Sequence, residues 1–313
     1  MWSQTTTELA TPTRTVTLSL TDRSGYLDAS ALYDASDAAG FTATKLRLAL
    51  RRLVESGLLQ VEGRGRRAQI QLSAEGLAER SPDLAWTGAA YRADAGLDPW
   101  DGVWHIASFE IPEDQRAARD ALRGQIIDLF GGQLSGGLYL SPFGWEPWLE
   151  SIAHMHGVAD RLTTLEASSV RHGGTSDQAA VASLVWPVSE VHDSYVQFID
   201  RWEPLVSAVP DNPGIAIRAA FEAAAEFEAA FRQDPLLPAE VVPAQFAGPS
   251  ARSLFRQVVD ALACHDVLAT ADLFGAYSDA IDDALTANQD DFWLGVYAAT
   301  SNPVDPGDVQ LRL

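Results

Sequence analysis

The side chains between residues 42 and 67 are of types that could bind duplex DNA. Cations neutralise phosphates, threonine hydroxyls can donate to phosphate oxygens, and one arginine can donate two hydrogen bonds to a guanine. We therefore predict a DNA-binding surface rather than a set of solvated arginines. Its residues are Thr42, Thr44, Lys45, Arg47, Arg51, Arg52, Arg64, Arg66 and Arg67.

Two helices would position the first six of these residues. We expect a helix over residues 28–39, with Gly40 as its stop, and a second helix over residues 42–56. The second helix has apolar residues at spacings of three and four, so one buried stripe leaves the cations on the opposite side. The stripe consists of Leu46, Ala49, Leu50 and Leu53.

A hairpin would carry the remaining arginines. The segment LLQV at residues 58–61, the turn EGRGRR and the alternating AQIQLS are typical of two strands with a basic tip. Two helices followed by a basic hairpin predict a winged helix-turn-helix domain, which we place at residues 1–82. Ahead of it, TVTLSL at residues 15–20 alternates between polar and apolar residues, with the period of a strand.

The charge distribution supports this interpretation, although the net charge of −21 alone argues against nucleic acid as a partner. Residues 1–80 hold ten basic and nine acidic side chains, whereas residues 81–313 hold twelve and thirty-four. Residues 45–67 alone have an excess of five positive charges. The predicted DNA-binding segment is therefore a basic island on an acidic protein.

The rest of the chain predicts two further domains, so that the fold class is α+β. Residues 98–175 alternate as β-α-β-α-β, which suggests a ferredoxin-like sandwich one strand short of complete. Residues 183–300 are predicted to form a helical domain, with helices at 250–268 and 271–287, and residues 301–313 to form a mobile tail. Loop-like sequences at 81–84, 172–178 and 209–214 mark the expected boundaries.

No set of residues predicts an enzyme or a metal site. His154, His156 and His172 could be metal ligands, but the first two would point apart on a helix, and no cysteine completes the set. Cys264 beside His265 does not make a nucleophilic dyad, and the chain has no nucleophile elbow and no phosphate-binding loop.

An alternative function stays open for the predicted middle domain. A metal-dependent nuclease would need acidic ligands at the end of its first strand, where Glu110 and Asp114 could lie. A regulator, by contrast, should bind a palindromic duplex without cutting it.

A second cationic stripe could bind a phosphate-bearing ligand. Arg116, Arg119 and Arg123 recur along one flank of the first helix of the middle domain, but they could instead offset Glu113 and Asp120. The aromatic side chains nearby favour a core or an interface over a cofactor site. They are Trp100, Trp104, Trp145 and Trp148.

Targeting signals and cysteine usage favour a cytoplasmic protein. The sequence contains no stretch of about 18 uncharged apolar residues, so we expect no membrane-spanning helix. Its start lacks the basic and apolar regions of a secretory signal. Cys264 is the only cysteine, so no internal disulfide can form.

Several segments together resemble the PaaX family of transcriptional repressors. In order, they are LRLALRRLVESGLL, GRGRRAQIQLSAEG, YRADAGLDPWDGVWHI, GGLYLSP, SYVQFIDRWEPL and DPLLPAEVVPAQFAGPSAR. The resemblance covers about residues 28–260 and is most specific in WDGVW and DPLLP. The sequence departs from the family at Phe246, where a tryptophan is common, and in a shorter stretch before the first helix.

The resemblance implies a homodimeric repressor that leaves its operator when an aryl- or acyl-CoA, typically phenylacetyl-CoA, binds. It also implies a middle domain similar to the nuclease subunit of CRISPR adaptation. Trp104 with Arg116, Arg119 and Arg123 are our candidates for binding this effector. No permanent cofactor is expected.

Overall fold

A computed structural model describes residues 13–263 and 274–300 of the chain. Cys264, His265, the end of the helix predicted at 250–268, the start of the one at 271–287 and the tail 301–313 lie outside these residues. The chain forms two compact units. Unit 1 contains Met1–Gly88, Asp193–Arg232 and Ala247–Asp283, and unit 2 contains Ala89–His192, Gln233–Phe246 and Ala284–Leu313.

Unit 1 begins with three helices and a small antiparallel sheet. The helices are α1 (Thr13–Leu18), α2 (Ala29–Ala38) and α3 (Ala43–Glu55). The strands are β1 (Tyr26–Asp28), β2 (Leu59–Glu62) and β3 (Gln69–Leu72), in the order β1-β3-β2. The two predicted helices and the hairpin are confirmed, and β1 is a third strand that the sequence did not reveal.

In the alternating segment, residues 15–18 are helical rather than extended, and residues 19 and 20 form a turn. Val16 and Leu20 are four residues apart, so the spacing that alternates along a strand also puts them on one face of a helix. Both are buried, and the hydroxyl of Ser19 donates to the carbonyl of Thr15 over 2.7 Å. Because α1 packs against α3, the helical conformation of this segment is favoured over a strand.

A long helix, α4 (Ala74–Asp94), follows the sheet and contains Pro82. The boundary expected at residues 81–84 is therefore not a loop. From this helix Arg80 donates hydrogen bonds to the Thr21 hydroxyl and to the carbonyls of Asp22 and Arg23, at 2.8 to 3.0 Å. Burial lowers the pKa of Arg80, and the charge of Asp22 partly offsets this. Arg80 thus secures the loop that leads into β1.

The later part of the chain adds helices to unit 1. They include α9 (Pro213–Phe231) and α10 (Gly248–Ala263), while α8 (Val188–Ser207) and α11 (Gly275–Thr286) contribute most of their residues. Helix α9 buries alanines on the side where α2 and α10 pack, which lets the helices approach closely.

Unit 2 contains a four-stranded antiparallel sheet with the order β5-β6-β4-β7. Its strands are β4 (Trp104–Phe109), β5 (Gly132–Ser135), β6 (Leu138–Ser141) and β7 (Leu162–Ala167). Its helices include α5 (Arg116–Asp128), α6 (Glu146–Met155), α7 (Gln178–Val185) and α12 (Gln289–Thr300). With a helix-rich unit 1 and this sheet, the protein is α+β.

The expectation that the middle sheet lacks a strand is wrong. The strand that the sequence did not reveal is β5, which forms a hairpin with β6 across residues 136 and 137, both glycines. Gly137 has a φ of +72°, a value that side chains with a Cβ rarely adopt. The order is therefore β-α-β-β-α-β.

The core of unit 2 includes both tryptophans of WDGVW, a motif that carries the family resemblance. Trp104 is fully buried, stacks on Trp186 at 6.2 Å and meets the edge of Trp100 at 5.1 Å. Leu237 and Val241, from the DPLLPAEVVP segment, pack in the same cluster. Trp104, Trp145 and Trp148 are all buried, as expected of tryptophans that belong to a core or an interface.

Unit 2 also contains a buried ion pair. Two nitrogens of Arg92 donate to the carboxylate of Asp98 at 2.6 and 3.0 Å, and both side chains are less than 10% exposed. The third nitrogen donates to the carbonyls of Ala284 and Ala287. The guanidinium also lies 4.6 Å from the centre of the Phe292 ring. Arg92 therefore joins two of the three chain segments that form unit 2.

Replacing Arg92 by alanine should lower the free energy of unfolding by about 3–5 kcal/mol, because Asp98 keeps its buried charge without a partner. Urea denaturation followed by tryptophan fluorescence measures the loss. The double variant Arg92→Ala/Asp98→Ala should lose less than the two single losses together. As a control, Arg161→Ala removes an exposed pair with Asp160 and should cost less than about 1 kcal/mol. Equal losses at both arginines would contradict the assignment.

Candidate nucleic-acid interface

Helix α3 buries one side and exposes a basic side. Leu46 and Leu50 are 2% and 8% exposed, while Ala49 and Leu53 are half-buried, so the predicted stripe faces the interior. The opposite side is open to solvent. Its exposed residues are Thr42, Thr44, Lys45, Arg47, Leu48, Arg51 and Arg52.

The beginning of α3 suits an anion. Thr42 caps the helix, and its hydroxyl oxygen accepts from the amide of Lys45 at 3.3 Å. The hydroxyl hydrogen of Thr42 can still donate outward, as can that of Thr44. The first turn holds no acidic residue, and the partial positive charge of a helix N-terminus favours phosphate.

The arginines of α3 are available to a ligand. Over residues 13–263 and 274–300, no ion pair involves Arg47, Arg51 or Arg52. The Nε of Arg47 donates to the carbonyl of Ala43 at 3.0 Å, which orients its guanidinium along the helix. Arg47 and Arg51 lie one turn apart, as two side chains that contact neighbouring base pairs would.

Leu48 is a candidate that the sequence reasoning missed. It lies among the cations of α3 and is 46% exposed, outside the stripe of Leu46 and Leu50. An apolar side chain at this position can contact the methyl group of thymine. Its place on the polar side of the helical wheel was the available signal.

The three arginines of the hairpin tip are not equivalent. Arg64 and Arg67 are exposed and form no ion pair within the part of the chain that the structure describes. Arg66 instead pairs with Asp34, lies 5.7 Å from the centre of the Tyr33 ring and donates weakly to the carbonyl of Ser30. Arg66 therefore ties the tip to α2 and is only half exposed.

The turn between α2 and α3 is held from α9. The Nε and Nη2 atoms of Arg218 donate to the carbonyl of Ala39 at 3.1 and 2.9 Å. Gly40 has a φ of +85°, and a Cβ there would lie 2.5 Å from Nη2 of Arg218. A Cβ at Gly214 would lie equally close to the carbonyl oxygen of Ala38. These contacts fix the direction in which α3 leaves the turn.

The candidate effector residues do not form one described site. Trp104 is fully buried, and its indole nitrogen donates to the side-chain oxygen of Gln178 at 2.6 Å. Arg116 and Arg119 lie on α5 and form ion pairs with Glu113 and Asp120, the alternative that the sequence analysis left open. Arg123 is exposed and forms no ion pair in the described parts of the chain.

The metal-site candidates are likewise not brought together. Among residues 13–263 and 274–300, Glu110 and Asp114 belong to no group of three close metal-ligating side chains, nor do the three histidines considered above. The group that does occur consists of His105, Glu146 and Glu166. These residues lie far apart in the sequence and match no spacing rule, so only the fold reveals them.

None of the helices in residues 13–263 and 274–300 is long and apolar enough to cross a membrane.

Comparisons with known proteins cover most of the chain. Residues 97–182 match the family model "PaaX protein central Cas2-like domain", and residues 186–266 match "PaaX-like protein C-terminal domain". The Transcriptional repressor PaaX of Escherichia coli (strain K12) is 30% identical over 241 residues, which are 75% of this chain and 74% of that protein.

A solved structure is also similar. It is that of the uncharacterized protein Rv0674 from Mycobacterium tuberculosis, with a TM-score of 0.52 and 25% identity, over 80% of this chain and 94% of that one. Two domain models of the PaaX family match this chain, and a PaaX repressor is 30% identical to it over three quarters of its length. This chain therefore belongs to the PaaX family.

Proposed function

We propose that this protein is a transcriptional repressor, not an enzyme, and that it binds duplex DNA through α3 and the β2–β3 hairpin. The observation that carries the proposal is the exposed basic side of α3, whose arginines Arg47, Arg51 and Arg52 have no described acidic partner. The name of the E. coli relative supports the repressor role.

In this proposal α2, the turn and α3 act as a helix-turn-helix, and the hairpin is the wing of a domain over residues 1–82. Helix α3 enters the major groove, where Arg47 and Arg51 read base edges and Leu48 meets a thymine methyl. Thr42, Thr44, Lys45 and Arg52 bind phosphates. The wing adds Arg64 and Arg67 on flanking phosphates, while Arg66 mainly holds the wing on α2.

The remaining domains are proposed by the same reasoning. The β-α-β-β-α-β order within residues 98–175 supports a ferredoxin-like middle domain, and the many helices within residues 183–300 support a helical C-terminal domain. We further infer that two copies associate into a dimer. One such module reads few base pairs, and a two-fold pair of modules reads two half-sites.

The proposed signal is a CoA thioester with an aryl or acyl group, with phenylacetyl-CoA as the first candidate. The support is the family resemblance together with cations on α5. Guanidinium groups bind phosphates bidentately, and Arg123 has no described ion pair to give up. Arg116 and Arg119 would have to exchange Glu113 and Asp120 for phosphate oxygens, while the buried Trp104 could contribute only if its surroundings open.

Alanine at Arg47 or Arg51 should weaken binding at the preferred DNA site by about 1–3 kcal/mol and relax the sequence preference there. The site is first selected from genomic fragments, and affinities are then measured by fluorescence anisotropy. Arg161→Ala, which removes one positive charge from unit 2, serves as the control and should leave affinity unchanged.

Within the same experiment the wing variants separate two roles. Arg64→Ala and Arg67→Ala should weaken all sequences alike and each reduce the slope of log K against log salt by about 0.9, the share of one phosphate contact. Arg66→Ala should change the slope less, because Asp34 already neutralises that charge. An unchanged slope in the Arg64→Ala/Arg66→Ala/Arg67→Ala triple variant would show that the wing does not touch DNA.

Light scattering at micromolar concentration should give twice the chain mass of 33.8 kDa, with and without DNA. Protected half-sites should then be centred about 10 base pairs apart, or a multiple of that distance. A mass of one chain under both conditions would refute the dimer without affecting the assignment of α3.

Phenylacetyl-CoA should bind in calorimetric titrations and lower the DNA affinity, commonly by a factor of about 5–150. The operator should lower the CoA affinity by the same factor, because coupling between two sites is reciprocal. Arg123→Ala should weaken CoA binding more than Arg116→Ala. If neither phenylacetyl-CoA nor a panel of other CoA thioesters binds, the effector is wrong while DNA binding by α3 still stands.

A further inference from the structure

Three side chains that can ligate a metal ion converge at one end of the sheet of unit 2. His105 lies on β4 and Glu166 on β7, and the two residues face each other in the antiparallel register. Glu146 is the first residue of α6. One ligand atom from each of the three lies within 4.8 Å of the others. The Nδ1 atom of His105 is 2.8 Å from the Oε1 atom of Glu146.

The site has an excess of negative charge. In the described ranges no lysine or arginine forms an ion pair with Glu146 or Glu166, and Asp101 adds a further negative charge nearby. The carboxylates of Glu146 and Glu166 therefore face the imidazole without a described basic partner, an arrangement that favours a bound cation.

Gly144 lies against this cluster. Residue 144 is a glycine, and a Cβ there would lie 3.5 Å from Cε1 of His105 and 3.8 Å from both its Nε2 atom and Oε2 of Glu146. Gly144 therefore borders the imidazole and the carboxylate without covering them. Glu166 is exposed, so its carboxylate can move inward to the distance of about 2.0–2.2 Å that zinc requires of an oxygen ligand.

The donor set selects a class of metal. Imidazole suits zinc and its first-row neighbours, whereas sites of oxygen alone suit magnesium and calcium. Three protein ligands of which one is exposed leave a position for water. One nitrogen and two carboxylate oxygens therefore fit a divalent first-row ion better than an alkaline-earth ion.

We propose that His105, Glu146 and Glu166 bind one Zn²⁺ ion per chain and that the ion joins α6 to β4 and β7. This site uses neither Glu110 nor Asp114, the residues of the nuclease hypothesis. It is also independent of the DNA-binding proposal, since its three ligands all belong to unit 2.

Calorimetric titration of ZnCl₂ into the metal-free full-length protein tests the proposal. All variants carry Cys264→Ser, so that the single thiol does not compete for zinc. We expect one ion per chain and a rise in melting temperature that is greater with Zn²⁺ than with Mg²⁺. His105→Gln and Glu166→Gln should each weaken the binding by at least about tenfold, the smallest loss typical when a metal site is disturbed.

Two controls make the result specific. His156→Gln changes an exposed histidine next to α6, and Glu110→Gln changes the nuclease candidate, so both should bind zinc as the parent does. Glu166 is exposed, so Glu166→Gln should keep the metal-free melting temperature of the parent and thereby separate lost binding from lost folding. The proposal is overturned if no saturable binding occurs, or if binding survives in both His105→Gln and Glu166→Gln.

Discussion

The contact between Arg218 and the carbonyl oxygen of Ala39 determines how α3 is presented. A helix ends with carbonyl groups that lack partners, and here a charged guanidinium supplies two hydrogen bonds to one of them. Glycine is favoured on both sides of this contact, because Gly40 has a φ of +85° and a Cβ at Gly214 would collide with the carbonyl oxygen of Ala38. The direction of α3 therefore depends on α9, which lies about 180 residues later in the chain.

Two other arginines, Arg80 and Arg92, also donate hydrogen bonds to backbone carbonyls, so several of the few cations of this acidic protein stabilise its fold. Arg80 binds the carbonyls of Asp22 and Arg23 before β1, and Arg92 binds those of Ala284 and Ala287. Burying a guanidinium costs free energy unless several hydrogen-bond acceptors surround it, and Arg80 and Arg92 each have at least three acceptors. These arginines stabilise the fold, so their charges are not available to DNA or to an effector.

Local signals explain which parts of the fold could be predicted from the sequence. Helices α2 and α3 have a buried stripe, an N-cap and a following glycine, and their bounds agree with the prediction to within a residue or two. The period-two pattern at residues 15–20 fits either a strand or a helix, and only the packing of α1 decides. Strand β1 has three residues, too few to show any period, and it forms because β3 offers an open edge.

In the candidate DNA-binding surface, too, some features follow from local sequence patterns and others depend on how the chain packs. Exposure of Arg47, Arg51 and Arg52 follows from the stripe of α3, whereas the ion pair of Arg66 with Asp34 depends on how the hairpin folds back on α2. The grouping of His105, Glu146 and Glu166 depends on strand register, which no spacing along the chain encodes.

The absence of described acidic partners for the α3 arginines is itself an argument about function. The chain has 43 acidic residues against 22 basic ones, and two of the acids, Glu55 and Glu62, lie between these arginines and the wing in sequence. Neither forms an ion pair with them in the described parts of the chain. Cations close together on one helix repel one another. In the free protein no described acidic side chain offsets this repulsion between the arginines, whereas bound phosphates would offset it. Because the acidic remainder repels DNA of any sequence, only a well-fitted contact at α3 should hold the duplex, which favours specific over indiscriminate binding.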